Sequence, residues 1–157
     1  MSWVEIGWLL VGFLFGVTVL RAMLPYAYRF GLKIRFWARH GRKGKSILFV
    51  YSDSSNWRDH IETRILPRIE PHSVILNWSK RREWESRMQL EMKLFDQSAG
   101  SSEFSPVAIV LSPFRKTKVI RLWPISQDDK RAKTRVIKEA EQELLKTVES
   151  FRRGTVP

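Results

Sequence analysis

The chain has 157 residues and a formal net charge of +12, and it contains no cysteine. Its length accommodates one domain of ordinary size. The lack of cysteine excludes disulfides, zinc–thiolate sites, iron–sulfur clusters and thiol nucleophiles. No motif defines a reaction, so the sequence assigns no catalytic residue and no cofactor.

Residues 1–24 are predicted to form a transmembrane anchor. The run from Ile6 to Leu20 is uncharged. If the Arg21 guanidinium reaches the membrane surface, the apolar run extends to Leu24 and approaches the roughly 20 residues that span a bilayer. A cleaved signal peptide is one rival interpretation, but the segment has neither an N-terminal base nor a small-residue cleavage site. A buried core helix is the other, but such a helix would not normally be followed by eight unpaired bases. The pattern therefore favours an anchor.

The positive charge is concentrated directly after this anchor. Residues 21–46 carry eight bases and no acid, which accounts for +8 of the total charge of +12. Positive residues near a span stay on the cytoplasmic side of a membrane. The asymmetry therefore predicts a single-pass protein with its N-terminus outside and its C-terminal domain in the cytoplasm.

Residues 25–46 are predicted to be a basic, aromatic juxtamembrane segment. Each base near an anionic lipid surface contributes about 1 kcal/mol of attraction, and aromatic side chains can enter the interface. The same composition suits nucleic acid, but a neighbouring span favours lipid. The predicted membrane-surface residues are Arg29, Lys33, Arg35, Phe36, Trp37, Arg39, Arg42, Lys43 and Lys45.

Two kinds of protein partner are also expected. One is an unidentified membrane protein complex. The other is a second copy of the chain, because Gly12 and Gly16 have the Gly-x-x-x-Gly spacing that lets two membrane helices approach closely. The competing explanation for this pair is the ordinary frequency of glycine in membrane helices.

Residues 47–151 are predicted to form a soluble α/β domain, and residues 152–157 are its tail. Short apolar runs predict four strands, and helical periodicity predicts three helices. The strands are expected at 47–51, 73–78, 107–111 and 118–123, and the helices at 57–69, 80–95 and 127–151. Helical crossovers imply parallel pairing of the early strands, and the short link at 112–117 implies an antiparallel edge. The expected architecture is a βαβαββα domain with a central mixed sheet.

This order of elements resembles the thioredoxin-like fold. The first helix follows the first strand directly, where that family has its redox motif, and Pro106 precedes the third strand, where the family has a cis-proline. The corresponding stretch Ser52–Asp59 has no cysteine, so thiol–disulfide exchange is excluded and the resemblance implies the scaffold alone. The expected role is an interaction or scaffold module at the membrane.

A second resemblance supports an enzymatic alternative. Phe49–Trp57 is similar to the first box of Toll/interleukin-receptor-type domains, and Val110–Pro113 is similar to their later strand. This resemblance implies a small-molecule or nucleotide-processing enzyme that uses the turn after the first strand, where open α/β sheets bind ligands. The turn consists of Ser52, Asp53, Ser54, Ser55 and Asn56.

Helix capping is the competing explanation for these turn residues, because Ser, Asp and Asn are the preferred helix N-caps. The three histidines, His40, His60 and His72, do not share a ligand spacing. No metal site is therefore predicted.

Overall fold

The computed structural model describes residues 3–100, 106–112, 114–122 and 130–153. For residues 3–6, 9–11 and 130–134 it describes the backbone alone. The strands are β1 (Ile47–Tyr51), β2 (Ser73–Asn77), β3 (Val107–Val110) and β4 (Lys118–Arg121). The helices are α1 (Trp3–His40), α2 (Arg58–His60), α3 (Leu66–Ile69), α4 (Arg81–Trp84), α5 (Gln89–Ser98) and α6 (Lys130–Arg152). The chain is therefore an α/β protein.

The four strands form one mixed sheet in the order β2-β1-β3-β4. β1 and β2 are parallel, with Tyr51 opposite Asn77, whereas β1–β3 and β3–β4 are antiparallel. The central strands β1 and β3 are buried at every residue, which is why they appear in the sequence as continuous apolar runs. At the edge, β4 exposes Lys118 and Arg121, charges that discourage pairing with another chain.

Hydrophobic cores lie on both faces of the sheet. The first core joins alternate strand residues such as Phe49 to Ile61 and Ile65 of the helical connection after β1, and to Leu144 of α6. The second core joins the intervening strand residues, such as Leu48, to α1 and α5. The side-chain alternation of β1 therefore supplies both cores.

The connection between β1 and β2 differs from the single helix that the sequence predicts. α2 passes into a π-helical turn, Ile61–Ile65, where the Leu66 N–H donates to the Ile61 carbonyl, and α3 follows. Ile61, Ile65 and Ile69 are all buried against the sheet. A spacing of four residues drifts around an ordinary α-helix, and the wider π turn keeps these three side chains facing the core.

The predicted helix over 80–95 is divided into α4 and α5. The N–H groups of Arg87 and Met88 both bond to the Trp84 carbonyl, which closes α4 before α5 begins at Gln89. The Trp84 indole donates to the Asn77 carbonyl at 2.8 Å. The break therefore holds this tryptophan against the end of β2.

The predicted transmembrane anchor is wrong. Within the described part of the chain, no helix is both long and apolar enough to cross a membrane. The uncharged run Ile6–Leu20 is shorter than the roughly 20 residues that a span requires, and it ends at Arg21, after which further bases follow along the same helix. The predicted single-pass topology and its N-outside orientation are therefore also wrong. The cytoplasmic localisation was inferred from that topology and is no longer supported.

The C-terminal part of α1, residues 32–40, belongs to the α/β fold. The helix is continuous from Trp3 to His40, and its residues Leu32 and Phe36 are buried in the second core together with Leu94 and Phe95 of α5. Because these two side chains are four residues apart, they lie on one face of α1. That face fixes the helix to the domain.

Some predicted features lie outside the described residues. They include residues 101–105, which lie between the second predicted helix and the third predicted strand, and the end of the tail after Arg153. Ser105, which precedes Pro106, is among them. The thioredoxin-like resemblance therefore stays a prediction at its proline, although the mixed four-stranded sheet is observed.

Candidate functional site

The predicted ligand turn, Ser52–Asn56, lies beside the end of β2. The parallel register places Tyr51 opposite Asn77. The first residues after the two strands are consequently neighbours at the carboxyl edge of the sheet.

Three residues at this edge form a closed hydrogen-bond ring. Asn77 Nδ2 donates to Asp53 Oδ1 at 2.7 Å, and the Asp53 backbone N–H donates to Ser79 Oγ at 2.9 Å. The Ser79 backbone N–H donates to Asn77 Oδ1 at 3.0 Å. The ring uses the polar groups that an anionic ligand would need, namely the Asp53 amide and the Asn77 amide nitrogen. Its evident role is to join the ends of β1 and β2.

The rest of the turn is also bonded internally. The Ser54 carbonyl accepts from the N–H groups of Trp57 and Arg58, and the Trp57 indole donates to the Ser52 carbonyl at 3.0 Å. The predicted helix capping is not observed at α2, whose N-cap residue is Trp57 and has no side-chain cap. Ser55 is exposed at the tip of the turn.

An electrostatic cluster adjoins the ring. Tyr51 Oη lies 3.5 Å from Glu62 Oε1, and Arg58 Nε lies 3.3 Å from the same oxygen. Burial raises the pKa of Tyr51 above its ordinary value of 10.0, and the negative charges of Glu62 and Asp53 add to that effect. The charge of Glu62, followed by that of Asp53, raises the pKa of Arg58. Because Arg58 is solvent-exposed, its ion pairs contribute little to stability.

The chemistry available at this edge of the sheet is limited. A nucleophilic serine needs a base within hydrogen-bond reach, and the bonds described for Ser54 and Ser79 involve only backbone groups and the ring. In the described residues, no group of three or more His, Asp and Glu side chains is placed to hold a metal ion. The observed bonds of the ring join the ends of β1 and β2, and a ligand at this turn stays a prediction.

The predicted basic surface is largely exposed. Arg29, Arg35, Arg39, Arg42 and Lys43 are exposed, and Lys45 is half-buried. Lys33 is half-buried and donates to the Arg115 carbonyl at 3.1 Å. Phe36 differs from the others, because only 1% of its surface is accessible and it belongs to the second core. Its neighbour Trp37 is 47% exposed and remains part of the surface.

Glycines shape the end of this surface. A Cβ on Gly41 would lie 2.5 Å from Trp37 Cδ1, so only glycine permits the indole to pack there. Gly44 has a φ of +74° and its N–H bonds to the Gly41 carbonyl at 2.9 Å, which closes the turn carrying Arg42 and Lys43. The two bases therefore project from a tight, defined turn.

A buried pair that sequence reasoning missed joins α1 to α5. His40 Nε2 lies 2.5 Å from Glu91 Oε1, and the Glu91 side chain has 0% exposure. Its second oxygen, Oε2, has no hydrogen-bond partner among the described residues. A signal was present in the sequence, because Glu91 is three and four residues before Leu94 and Phe95 and therefore shares their apolar helix face.

The positions of Gly12 and Gly16 leave the predicted homodimer untested. Both lie on the part of α1 that projects from the domain, and a Cβ at either would meet nothing within 4 Å. The homodimer through these glycines stays a prediction.

Comparison with known proteins adds no family. No family model matches the chain, and no curated protein or solved structure is significantly similar to it.

Proposed function

We propose that the protein is an interaction module that binds anionic lipid surfaces through α1 and the turn that follows it. The observation that carries this proposal is the combination of exposed apolar and basic side chains along one helix. The α/β domain would serve as the scaffold that holds the C-terminal part of the helix, residues 32–40. The sheet order and strand directions support a thioredoxin-like scaffold, and the absence of cysteine excludes its redox chemistry.

The apolar part of this surface lies on residues 7–30 of α1, here called the projecting segment, which precede the residues that pack on the domain. Trp8 and Tyr26 are each 73% exposed and Phe15 is 71% exposed. The other large apolar side chains that are exposed among the described residues of this segment are Phe13, Leu14, Val17, Val19, Leu20, Met23, Leu24, Tyr28 and Phe30. Contiguous apolar surface of this kind marks an interaction site, and Trp and Tyr are favoured at lipid–water interfaces.

The basic part supplies charge complementarity to anionic head groups. Residues 21–46 contain eight bases and no acid. The exposed bases Arg29, Arg35, Arg39, Arg42 and Lys43 form no ion pair with a described acid. These side chains are therefore available to lipid. Each base near an anionic surface contributes about 1 kcal/mol of attraction.

Lipid fits this surface better than a protein groove or nucleic acid does. Phe13, Leu14 and Phe15 are consecutive, so at about 100° per residue they point in three directions, whereas a groove covers one face of a helix. The phosphates of nucleic acid would pair with the basic side chains, but the apolar side chains of the projecting segment would stay exposed to water. Association with a lipid surface requires no spanning helix.

The test is binding of the full chain to vesicles. We expect sedimentation with vesicles of phosphatidylcholine and phosphatidylserine, much weaker sedimentation with phosphatidylcholine alone, and weakening by salt because surface charge is screened. Replacing Arg29, Arg42 and Lys43 by glutamine should weaken binding by about 3 kcal/mol, on the order of 100-fold.

A matched control removes three charges from the opposite face of the domain. Arg64, Arg68 and Lys138 lie on the side of the first core, and their replacement by glutamine should leave vesicle binding within about twofold. Equal loss in both triple variants, or equal binding to neutral vesicles, would overturn the proposal. Tighter binding to a single-stranded oligonucleotide than to anionic vesicles would also overturn it in favour of nucleic acid.

A further inference from the structure

We propose that a basic cleft between α1 and α5 is a binding site for a phosphomonoester group. The cleft has a volume of about 450 Å³ and is lined by four bases from three segments of the chain. Arg35 and Arg39 come from α1, Arg87 comes from the link before α5, and Lys93 comes from α5. Among the described residues, no acidic side chain lines the cleft.

The four bases are free to contact a ligand. All four are exposed, and none forms a hydrogen bond or an ion pair with another described residue. A guanidinium group presents a planar fork of donors that matches two phosphate oxygens, and lysine adds a point charge. Three forks converging on one cleft favour a terminal phosphate, which carries more charge and more free oxygens than a diester.

The remaining lining provides neutral donors and an apolar floor. Ser86 and Gln89 supply a hydroxyl and an amide, while Leu32 and Leu90 supply apolar contact. Gln89 and Leu90 belong to the first turn of α5, whose backbone N–H groups lack intrahelical partners. Met88 precedes that turn without a side-chain cap.

The two walls of the cleft are held at a defined separation. Leu32 and Phe36 of α1 pack into the second core with residues of α5, and the bond between His40 and Glu91 joins the same two helices. Glu91 itself is buried and does not line the cleft. The site is therefore preorganised by the docking of α1, which reduces the ordering cost of binding.

This inference deepens the proposed function and rests on it where the phosphomonoester is a lipid head group. The same chemistry occurs in soluble phosphate esters, so the test has two arms. The soluble arm uses glycerol phosphate and measures binding to the full chain by calorimetry. The vesicle arm compares phosphatidic acid, a phosphomonoester, with phosphatidylserine, a phosphodiester, in vesicles matched for surface charge.

The variant R39Q/R87Q removes one base from each wall of the cleft. We expect at least about a tenfold loss of glycerol phosphate affinity, because two charge-assisted hydrogen-bonding groups are lost. The control R64Q/R68Q removes the same charge from the opposite face of the sheet and should bind normally. Far-ultraviolet circular dichroism checks that both variants remain folded, which is expected because all four residues are exposed.

Each outcome decides one point. A preference for phosphatidic acid that is lost in R39Q/R87Q supports the site with a lipid as its ligand. Binding of glycerol phosphate without a vesicle preference supports the site with a soluble ligand. If neither probe distinguishes R39Q/R87Q from the control, the site is refuted, whereas retained binding to phosphatidylserine vesicles would show that the proposed function stands without it.

Discussion

His40 Nε2 lies 2.5 Å from Glu91 Oε1, and this contact joins two helices that are far apart in the chain. The Glu91 side chain is fully buried, and the His40 ring also packs against Phe36 with a centroid separation of 4.9 Å. The pair therefore lies where α1 is fixed to the domain. A polar bond inside an apolar interface determines which residues can face each other there.

The first prediction concerns this pair. H40A leaves both Glu91 oxygens buried without a partner, so the free energy of unfolding should fall by about 1–3 kcal/mol. Chemical denaturation followed by circular dichroism measures the change. The double variant H40L/E91M removes both polar groups and should recover most of that loss. A loss in H40A no larger than that of the exposed variant S55A would contradict this role for the pair.

The second prediction concerns alkaline pH. Burial, with the charge of Glu62 adding to it, raises the pKa of Tyr51 in the folded protein above 10.0. The unfolded chain therefore loses its tyrosine proton first, and stability present below pH 10.0 is lost as the pH rises through the folded pKa. Y51F should remove this part of the pH dependence. Identical alkaline stability profiles for Y51F and the wild type would show that Tyr51 is not its source.

The third prediction concerns the turn after β1. D53A removes the acceptor of the Asn77 side-chain bond at 2.7 Å, so we expect a loss of about 1 kcal/mol in the free energy of unfolding. S55A at the exposed tip should be within about 0.5 kcal/mol of the wild type. If S55A destabilised the protein as much as D53A, the ring would not be the joint between β1 and β2.

The elements of the sheet were predictable because burial leaves a local mark on the sequence. β1 and β3 are buried on both faces, and each is a short continuous apolar run bounded by polar residues. The helical connection after β1 was only partly predictable. The spacing of Ile61, Ile65 and Ile69 indicated a helix facing the core, but the π turn depends on how that helix is placed against the sheet.

The site was less predictable because its contacts join distant positions. Asp53 and Ser79 are neighbours only because β1 and β2 are parallel and in register. His40 and Glu91 are 51 residues apart in the chain, so no local pattern indicates that they form a pair. The apolar run of α1 suggested a transmembrane helix. The run is too short and is followed by bases, and no helix among the described residues is long and apolar enough to cross a membrane.

The last prediction separates the two roles of α1 with two phenylalanines of the same helix. Phe36 is 1% exposed in the second core, whereas Phe30 is 48% exposed at the end of the projecting segment. F36A should lower the free energy of unfolding by about 3–5 kcal/mol, whereas F30A should change it by about 0.5 kcal/mol or less. F30A should instead weaken binding to anionic vesicles by about fivefold, since about 1 kcal/mol of apolar burial is lost. Equal losses of stability in F36A and F30A would mean that the projecting segment also packs on the domain. Unchanged vesicle binding by F30A would show that Phe30 does not contact lipid.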